Sequence, residues 1–392
     1  MPGSVIVAGA RTPIGKLSGA LASFSAMELG GFAIAAALER AGVAPEDVDY
    51  VFMGHVLQAG QGQITARQAA HNAGIPMTVP ATTVNKVCLS GLNALYLADQ
   101  MITSGDAEVV VAGGMESMTN APYLLPGARA GLRIGDGVVV DSTMLDGLTC
   151  AFDACSMGLA TERYAAGTLT REAQDELAAK SHERAAAAIK EGRFADEIAP
   201  VAVPQRKGDP VLVETDEGVR PGTTVESLGT LKPAFDKQGT ITAGNASQIS
   251  DGAAAVVITS KAKAEDLGLS PIAEILSYGQ VAGPDPSLLT QPSRAIRAAL
   301  DKVDIGIGSI DLFELNEAFA AVGLASMADL GIGDDVVNVN GGAIALGHPI
   351  GMSETRVALT LINELRRRGG GTGAAALCGG GGQGDALLFK TL

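Results

Sequence analysis

The chain has 392 residues, enough for two or three packed units that each bury a core of their own. Hydrophobic residues make up 47% and charged residues 18%, with 51 glycines and no tryptophan, which is typical of close-packed α/β layers joined by tight turns. The formal net charge of −15 argues against a nucleic-acid partner, because such a surface repels the phosphate backbone.

The amino-terminal residues predict neither a leader nor a membrane anchor. Residues 1–7 carry no basic region, and no apolar run in the chain is long enough to span a bilayer. We therefore expect a cytoplasmic protein with no membrane partner. The four cysteines contain no Cys-x-x-Cys pair and the four histidines have no metal-ligand spacing, so we expect reduced thiols and no metal.

The first stretch with a clear core pattern surrounds Cys88. Residues 82–87 predict a buried strand, a helix follows Cys88, and residues 108–112 predict a second strand that ends in Gly113-Gly114. Backbone N–H groups at a helix start stabilise a thiolate and lower its pKa, which makes Cys88 a candidate nucleophile. Taken alone, however, an intracellular cysteine is more often a small buried hydrophobic residue.

Residues 119–244 interrupt this pattern with loops rich in glycine and proline. One helix is clear, at 171–191, and Thr170 is its expected N-cap. The core pattern resumes at 245–270 with an apolar strand at 253–258. We therefore predict a first half at 1–118 and 245–270, an inserted loop domain at 119–244, and a second half at 271–392.

The last third repeats the order of elements seen around Cys88. Residues 336–340 predict a strand, the glycine-rich loop 341–351 presents His348, a helix follows, and residues 372–378 predict a strand that ends at Cys378. Apolar strands alternating with helices indicate buried, mainly parallel sheets. The fold class is therefore α/β, with two duplicated halves of layered sheets and helices plus the inserted loop domain.

Two further features of the last third concern chemistry. Asn316 follows the apolar stretch 310–315, where an amide can orient water or an oxyanion, although a helix cap is the ordinary alternative. Cys378 opens the glycine run 379–384, at the strand end where α/β sheets bind ligands. That run is not a dinucleotide fingerprint, because residues 385–389 continue as a strand and not as a helix.

In combination these stretches resemble the thiolase family, from Val5 to the C-terminus. Residues 85–91 resemble its nucleophile block, 316–320 its Asn-Glu-Ala-Phe block, 341–351 its histidine block, and 378–384 its acid/base block. The resemblance implies an acetyl-CoA C-acetyltransferase of the biosynthetic, acetoacetyl-CoA type, active in fatty acid metabolism. Its substrates would be acetyl-CoA, acetoacetyl-CoA and CoA, with no separate cofactor.

The resemblance also implies roles for individual residues. Cys88 would carry the acyl group, His348 would assist its activation, and Cys378 would deprotonate C2 of acetyl-CoA. One oxyanion hole would come from His348 and a water held by Asn316, and the other from the backbone amides of Cys88 and Gly380.

CoA would lie against the insertion and the wall beside it, with Arg220 near the nucleotide. The expected CoA contacts are Leu148, Met157, Arg220, Phe235, Ala243, Ser247, Ala318 and Phe319. Residues 127–141 resemble the loop through which biosynthetic thiolases associate, which implies a homotetramer built as a dimer of dimers.

Three positions depart from the family pattern: Leu89, Ser156 and Glu354. Glu354 stands where the family usually has glycine, and we hypothesise that its carboxylate lowers or alters activity by straining the histidine loop or raising a thiol pKa. Alternatives therefore stay open: a 3-ketoacyl-CoA thiolase for longer chains, with Leu288 in a loop that can widen the pocket, or a catalytically impaired CoA-binding homologue. Cys378 argues against a decarboxylating 3-oxoacyl synthase of the same fold.

Overall fold

A mixed ten-stranded sheet organises the chain, and the computed structural model describes residues 4–392. The strands are β1 Val5–Arg11, β2 Gly15–Lys16, β3 Tyr50–Gly54, β4 Ala81–Val84, β5 Val109–Ser117, β6 Tyr123–Leu124, β7 Val140–Asp141, β8 Thr149–Cys150, β9 Cys155–Ser156, β10 Val201–Val203, β11 Val211–Val213, β12 Ser250–Thr259, β13 Ala273–Ala282, β14 Leu312–Leu315, β15 Thr372–Gly379 and β16 Gln383–Thr391.

Helices flank this sheet and carry the connections between its strands. They are α1 Ala26–Ala41, α2 Thr65–Asn72, α3 Ser90–Ser104, α4 Met157–Ala165, α5 Arg171–Lys190, α6 Val225–Gly229, α7 Lys261–Asp266, α8 Gln291–Val303, α9 Ala320–Leu330, α10 Ala343–Leu346 and α11 Ser353–Arg367, with a π-helical segment at Thr143–Leu148. Within residues 4–392, no helix combines the length and apolar character needed to cross a membrane.

The sheet shows the duplication directly. Its strand order is β14-β15-β16-β13-β1-β12-β5-β3-β4, and β2 pairs with β12 off this path. In the first half, β3 is parallel to β5, β12 is antiparallel to β5, and β1 is antiparallel to β12. In the second half, β14 is parallel to β15, β16 is antiparallel to β15, and β13 is antiparallel to β16. The halves meet where β1 pairs with β13, so the predicted α/β class with two similar halves is confirmed.

Several details of the strand predictions are wrong. The sheets are mostly antiparallel, because β15 returns into β16 through a tight loop, and a short hairpin joins only antiparallel strands. The strand predicted at 336–340 is reduced to a single parallel bridge between Phe313 and Val337, which stands where β4 stands in the first half. Strand β4 ends at Val84, because Val87 adopts a left-handed φ of +53°.

Three hydrophobic clusters form the main core. Helix α1 packs on one face of the first-half strands, and helices α8 and α9 pack on the second-half strands. Between them, α3 and α11 lie together, burying Leu92 and Leu95 of one with Val357 and Leu361 of the other. These two central helices begin beside Cys88 and His348, so the layer that joins the halves also positions the candidate site.

Helix α5 forms where the sequence predicts it, with Thr170 as the N-cap that accepts a hydrogen bond from the Ala173 N–H. Strands β5 and β12 are longer than predicted, since β5 continues through Gly113 and Gly114 to Ser117. A Cβ on Gly114 would lie 1.9 Å from the Gly351 carbonyl oxygen, so glycine permits the close approach of the histidine loop.

Candidate active site

Cys88 lies in a tight turn between β4 and α3 that side chains hold in place. The Val87 N–H donates to Asn85 Oδ1 at 3.0 Å, and Ser90 Oγ donates to the Val87 carbonyl at 2.6 Å. Lys86 Nζ pairs with Asp385 Oδ1 at 2.7 Å and ties the turn to β16. A β-branched residue at positive φ is strained, and such strain concentrates at functional sites.

A narrow cavity of about 50 Å³ brings the sequence-predicted groups together. Cys88, His348, Cys378 and the backbone of Gly380 all line it. Apolar side chains complete the wall, namely Leu148, Met157, Leu288, Ala318, Phe319 and Ile350. Thiols and an imidazole in a small apolar chamber can carry out nucleophilic and proton-transfer chemistry with water largely excluded.

The hydrogen bonds of His348 define which ring nitrogen is the base. Ser353 Oγ lies 2.6 Å from His348 Nδ1 and donates to the Pro349 carbonyl at 2.8 Å. Because the hydroxyl proton is used on Pro349, the Ser353 oxygen accepts from Nδ1–H, and Nε2 carries the lone pair. Asn316 Nδ2 lies 3.5 Å from both ring nitrogens, so the predicted Asn316–His348 association is present.

Asn316 is not a helix cap, which was the ordinary alternative. Helix α9 begins at Ala320, its N-cap position is Phe319, and no side chain caps it. Asn316 is fully buried, and its Oδ1 has no hydrogen-bond partner within residues 4–392. A buried acceptor without a protein partner can hold an ordered water.

Two buried glutamates hold the histidine loop: Glu317, which lies in the predicted 316–320 block, and Glu116, which the sequence reasoning missed. Glu317 Oε2 accepts from Ser181 Oγ at 2.6 Å and from the Ile344 N–H at 3.1 Å. Glu116 Oε2 accepts from the Gly351 N–H at 3.1 Å, beyond His348 in the loop. An acidic residue inside the apolar run of β5 is the signal that could have identified Glu116, because a buried carboxylate needs partners.

The thiols are neutral at rest, contrary to the expected lowering for Cys88. Burial raises the pKa of Cys88 to about 12, and the charge of Glu354 acts in the same direction. The Gly380 and Cys88 backbone N–H groups hydrogen-bond the sulphur and lower the pKa, but by less than burial raises it. The lowering predicted from a helix start is wrong because α3 begins only at Ser90, and Cys88 packs against Val56 and Ile350 instead.

The other two groups are neutral as well. Burial raises the pKa of Cys378, and the neighbouring Cys88 contributes in the same direction, which shows that the two sulphurs interact. Burial lowers the pKa of His348 to about 3, with the charge of Arg356 contributing. The resting site therefore holds two thiols and a neutral imidazole, and proton transfer accompanies any nucleophilic attack.

Glu354 lies directly behind the nucleophile turn. Its Oε2 accepts from the Leu92 N–H at 2.7 Å, so it caps the first turn of α3 in place of the uncapped Leu89. The side chain is fully buried and its Oε1 has no partner within the described part of the chain. Burial raises the pKa of Glu354 well above its usual value, and the charge of Asp385 adds to the effect.

A wider cavity of about 480 Å³ adjoins the narrow one and shares Leu148, Met157, Phe319 and His348 with it. Of the eight residues expected to contact CoA, seven line this outer cavity, and Ala318 lines the inner one. The aromatic rings of Phe235 and Phe319 meet edge to face at 6.1 Å. Lys16 and Arg220 place two cations on its lining, although the whole chain has a net charge of −15.

Comparison with known protein families shows which family this chain belongs to. Residues 4–262 match the N-terminal domain of thiolase and residues 269–391 match its C-terminal domain. The chain belongs to the thiolase family. The family resemblance predicted from the motif blocks is therefore confirmed, and the chain is an acyltransferase-type enzyme by family.

Relatives of known name align with nearly the whole length of this thiolase. It is 58% identical over 387 residues to a probable acetyl-CoA acetyltransferase of Mycolicibacterium smegmatis, covering 98% of this chain and 100% of that protein. It is 54% identical over 385 residues to the acetyl-CoA acetyltransferase of Cupriavidus necator, with 98% of each chain covered. The crystal structure of the Bacillus anthracis acetyl-CoA acetyltransferase superposes with a TM-score of 0.97 at 42% identity, covering 100% of this chain and 99% of that one.

Proposed function

We propose that this thiolase is an acetyl-CoA C-acetyltransferase, which condenses two acetyl-CoA molecules to acetoacetyl-CoA and CoA and catalyses the reverse thiolysis. The observation that carries the proposal is the convergence of Cys88, His348, Cys378 and the Gly380 amide on one small cavity. The full-length relatives named acetyl-CoA acetyltransferase support the same activity.

In the first half-reaction Cys88 is the nucleophile. His348 Nε2, whose lone pair is kept free by the Ser353 bond at Nδ1, takes the thiol proton as the sulphur attacks the thioester carbonyl. The imidazolium then returns the proton to the departing CoA sulphur, which leaves acetyl-Cys88 and neutral His348. Since the resting imidazole pKa is about 3, the charged form is short-lived and transfers its proton readily.

In the second half-reaction Cys378 is the base. It reaches its thiolate form by passing its proton to His348 Nε2, which lines the same cavity, and then removes a proton from C2 of the second acetyl-CoA. The resulting enolate carbon attacks the acetyl carbonyl, the C–S bond to Cys88 breaks, and the Cys88 thiolate takes the proton held on His348 Nε2, while Cys378 keeps the proton from C2. Atoms and charge then balance, and both thiols are neutral again.

Each half-reaction places negative charge on a thioester oxygen, which needs preorganised donors. The backbone N–H groups of Cys88 and Gly380, which both lower the pKa of the Cys88 thiol, form one such pair. The second, in the condensation step, would combine the Nε2–H of the transiently protonated His348 with a water on the unpartnered Oδ1 of Asn316. We expect no metal and no separate cofactor in either step.

The inner cavity favours a short acyl group. It is much smaller than the outer cavity, at about 50 Å³ against about 480 Å³, and Leu288 and Met157 form part of its wall, which favours an acetyl or acetoacetyl unit over a longer chain. Nothing in the site favours the longer-chain thiolase or a catalytically impaired homologue. CoA would fill the outer cavity, with its pantetheine against Phe235 and Phe319 and its phosphates near Lys16 and Arg220.

Thiolysis of acetoacetyl-CoA by CoA tests the proposal. We expect the absorbance of the magnesium–enolate of acetoacetyl-CoA to fall with wild type and to stay constant with Cys88→Ala. With 3-oxoacyl-CoA substrates of eight or more carbons, kcat/KM should be lower by about tenfold or more. Turnover that survives in Cys88→Ala, or that is faster on the longer chains, would contradict the assignment.

The homotetramer expected from the family also stays a proposal. Strands β6 and β7 form a two-stranded arm around residues 127–141, and Ile134 is 99% and Val138 72% exposed in the single chain. Apolar side chains this exposed favour burial against another copy. Light scattering should show Ile134→Asp/Val138→Asp as dimers and wild type as tetramers; tetrameric variant protein would refute the arm's role.

Three further expectations from the sequence stay predictions: the cytoplasmic location, the role in fatty acid metabolism, and the domain boundaries, with an inserted domain at 119–244 between the two parts of the first half.

A further inference from the structure

Two cysteines outside the catalytic pair face each other across a small hairpin. Strands β8 and β9 pair antiparallel, and Cys150 lies directly opposite Cys155 in their register. Directly opposed residues project to the same face, with Cβ atoms about 4.5–5.5 Å apart. Both side chains pack on the same apolar cluster, which also holds Met157 and Phe319, so both project from the same face of the hairpin.

The two thiols differ in their exposure to solutes. Such a difference suits a pair in which one thiol attacks an external disulfide and the other then displaces it. Cys155 is half-buried, and Arg163 Nη1 donates to its sulphur at 3.7 Å. Cys150 is only 1% exposed, and its sulphur accepts from the Asp153 N–H at 3.4 Å. A small anionic solute can therefore reach Cys155 beside a guanidinium, whereas Cys150 is reached only from within the hairpin.

This hairpin forms part of the wall of the acyl cavity. Leu148 immediately precedes β8 and Met157 immediately follows β9, and both line the inner and outer cavities. At the tip of the hairpin, Phe152 lies 3.1 Å from the position of a Cβ built on Gly381, next to the Gly380 amide. Movement of the hairpin is therefore transmitted to the wall and to the glycine loop that supplies an oxyanion donor.

We propose that Cys150 and Cys155 are a modification site, and that they form a reversible disulfide which draws the hairpin strands together and slows acyl transfer. The oxidant is a small-molecule disulfide. The Cys155 thiolate attacks one of its sulphurs, the S–S bond breaks and one thiolate leaves. Cys150 then attacks the Cys155 sulphur of the mixed disulfide and releases the second thiolate. Two protons and two electrons pass from the cysteines to the small disulfide.

The slowing has a geometric cause. A disulfide holds its Cβ atoms about 3.8 Å apart, which is closer than the ladder spacing, so Leu148 and Met157 must shift by several tenths of an ångström or more. Misplacement on this scale in a cavity of about 50 Å³ disturbs the alignment of the reacting atoms. The slowing rests on the proposed acetyltransferase function, whereas disulfide formation does not.

Disulfide formation is tested in Cys88→Ala/Cys378→Ala protein, where Cys150 and Cys155 are the only thiols left. After treatment with oxidised glutathione we expect a mass loss of about 2 Da, no titratable thiol, and reversal by dithiothreitol. Adding Cys150→Ser as the matched control should instead leave one glutathionyl group on Cys155. Two glutathionyl groups, or an unchanged mass, in the parent variant would overturn the proposal.

A second readout uses the native enzyme, so the proposal does not depend on the folding of that variant. Trypsin releases residues 134–163 as one peptide that contains both cysteines, and in oxidised wild type it should resist alkylation until reduced. Oxidised wild type should lose at least about threefold in kcat/KM relative to Cys150→Ser/Cys155→Ser treated identically, and dithiothreitol should restore it. Equal rates despite the disulfide would reject the slowing; no activity in either reduced protein would reject the proposed function instead.

Discussion

Replacement of Glu354 by glutamine isolates the effect of one buried ionisable group behind the nucleophile. The amide oxygen of glutamine can still accept from the Leu92 N–H, now 2.7 Å from Glu354 Oε2, so the cap on α3 is kept. The substitution removes the ionisable proton. Two charged groups, Asp385 and Lys86, act on this carboxyl, and they form an ion pair with each other at 2.7 Å. Because Lys86 is bound to Asp385, Asp385 keeps its charge and Glu354 keeps the proton.

The sign and slope of the effect follow from proton linkage. In the unfolded chain Glu354 ionises near its ordinary pKa of 4.5, whereas burial keeps it protonated in the folded enzyme to a higher pH. Below both pKa values Glu354 does not affect the pH dependence. As pH rises between them, the free energy of unfolding of wild type falls by about 1.4 kcal/mol per pH unit from this group. Glu354→Gln lacks this loss, so its advantage over wild type should grow with pH.

Urea denaturation at fixed protein concentration, repeated at pH 5.5, 6.5 and 7.5, measures this difference. Glu354→Gly is the matched comparison, because it removes the charge and also the acceptor for the Leu92 N–H, which costs about 1–3 kcal/mol. We also expect alkylation of Cys88 by iodoacetamide to be faster in Glu354→Gln than in wild type only at pH values high enough to ionise Glu354, since only the charged carboxylate raises the pKa of Cys88. Wild-type and glutamine curves that run parallel across this pH range would refute the reasoning.

Other variants test the site itself. Ser353→Ala leaves the buried Nδ1–H of His348 without its acceptor, which costs about 1–3 kcal/mol of transition-state stabilisation. The variant should therefore lower kcat/KM about 5- to 150-fold with an unchanged circular dichroism spectrum. A near-wild-type rate would show that Ser353 does not fix the tautomer of His348. Arg220→Ala should raise KM for acetyl-CoA about 3- to 10-fold with little change in kcat, because Arg220 is exposed on the lining of the outer cavity. A fall in kcat alone would contradict a role for Arg220 in binding CoA.

Much of this site could be predicted because its chemistry sits in contiguous motifs. Cys88, Asn316, His348 and Cys378 each stand in a short block of unusual composition, and the structure brings all four within or beside one small cavity. The duplicated order of strands and helices could also be predicted, because segments with a regular apolar period, such as α3 and α11, clearly indicate a helix and not a strand.

Other features depend on contacts between distant parts of the chain, which local patterns do not contain. Strand β4 stops at Val84 because Asn85 and Ser90 side chains hold the turn, although Val87 itself favours a strand. The protonation of Cys88 depends on burial by residues far along the sequence, such as Ile350. The anchoring of the histidine loop by Glu116 and Glu317 likewise joins segments more than 20 residues apart.

The central claim is that Cys88 carries the acetyl group, and mass spectrometry of the intact enzyme with acetyl-CoA tests it most directly. We expect one added acetyl group, located on Cys88, which accumulates in Cys378→Ala because that variant cannot form the enolate of the second substrate. Cys88→Ala should gain none. An acetyl group on another residue, or no acetylation of Cys378→Ala, would contradict the account.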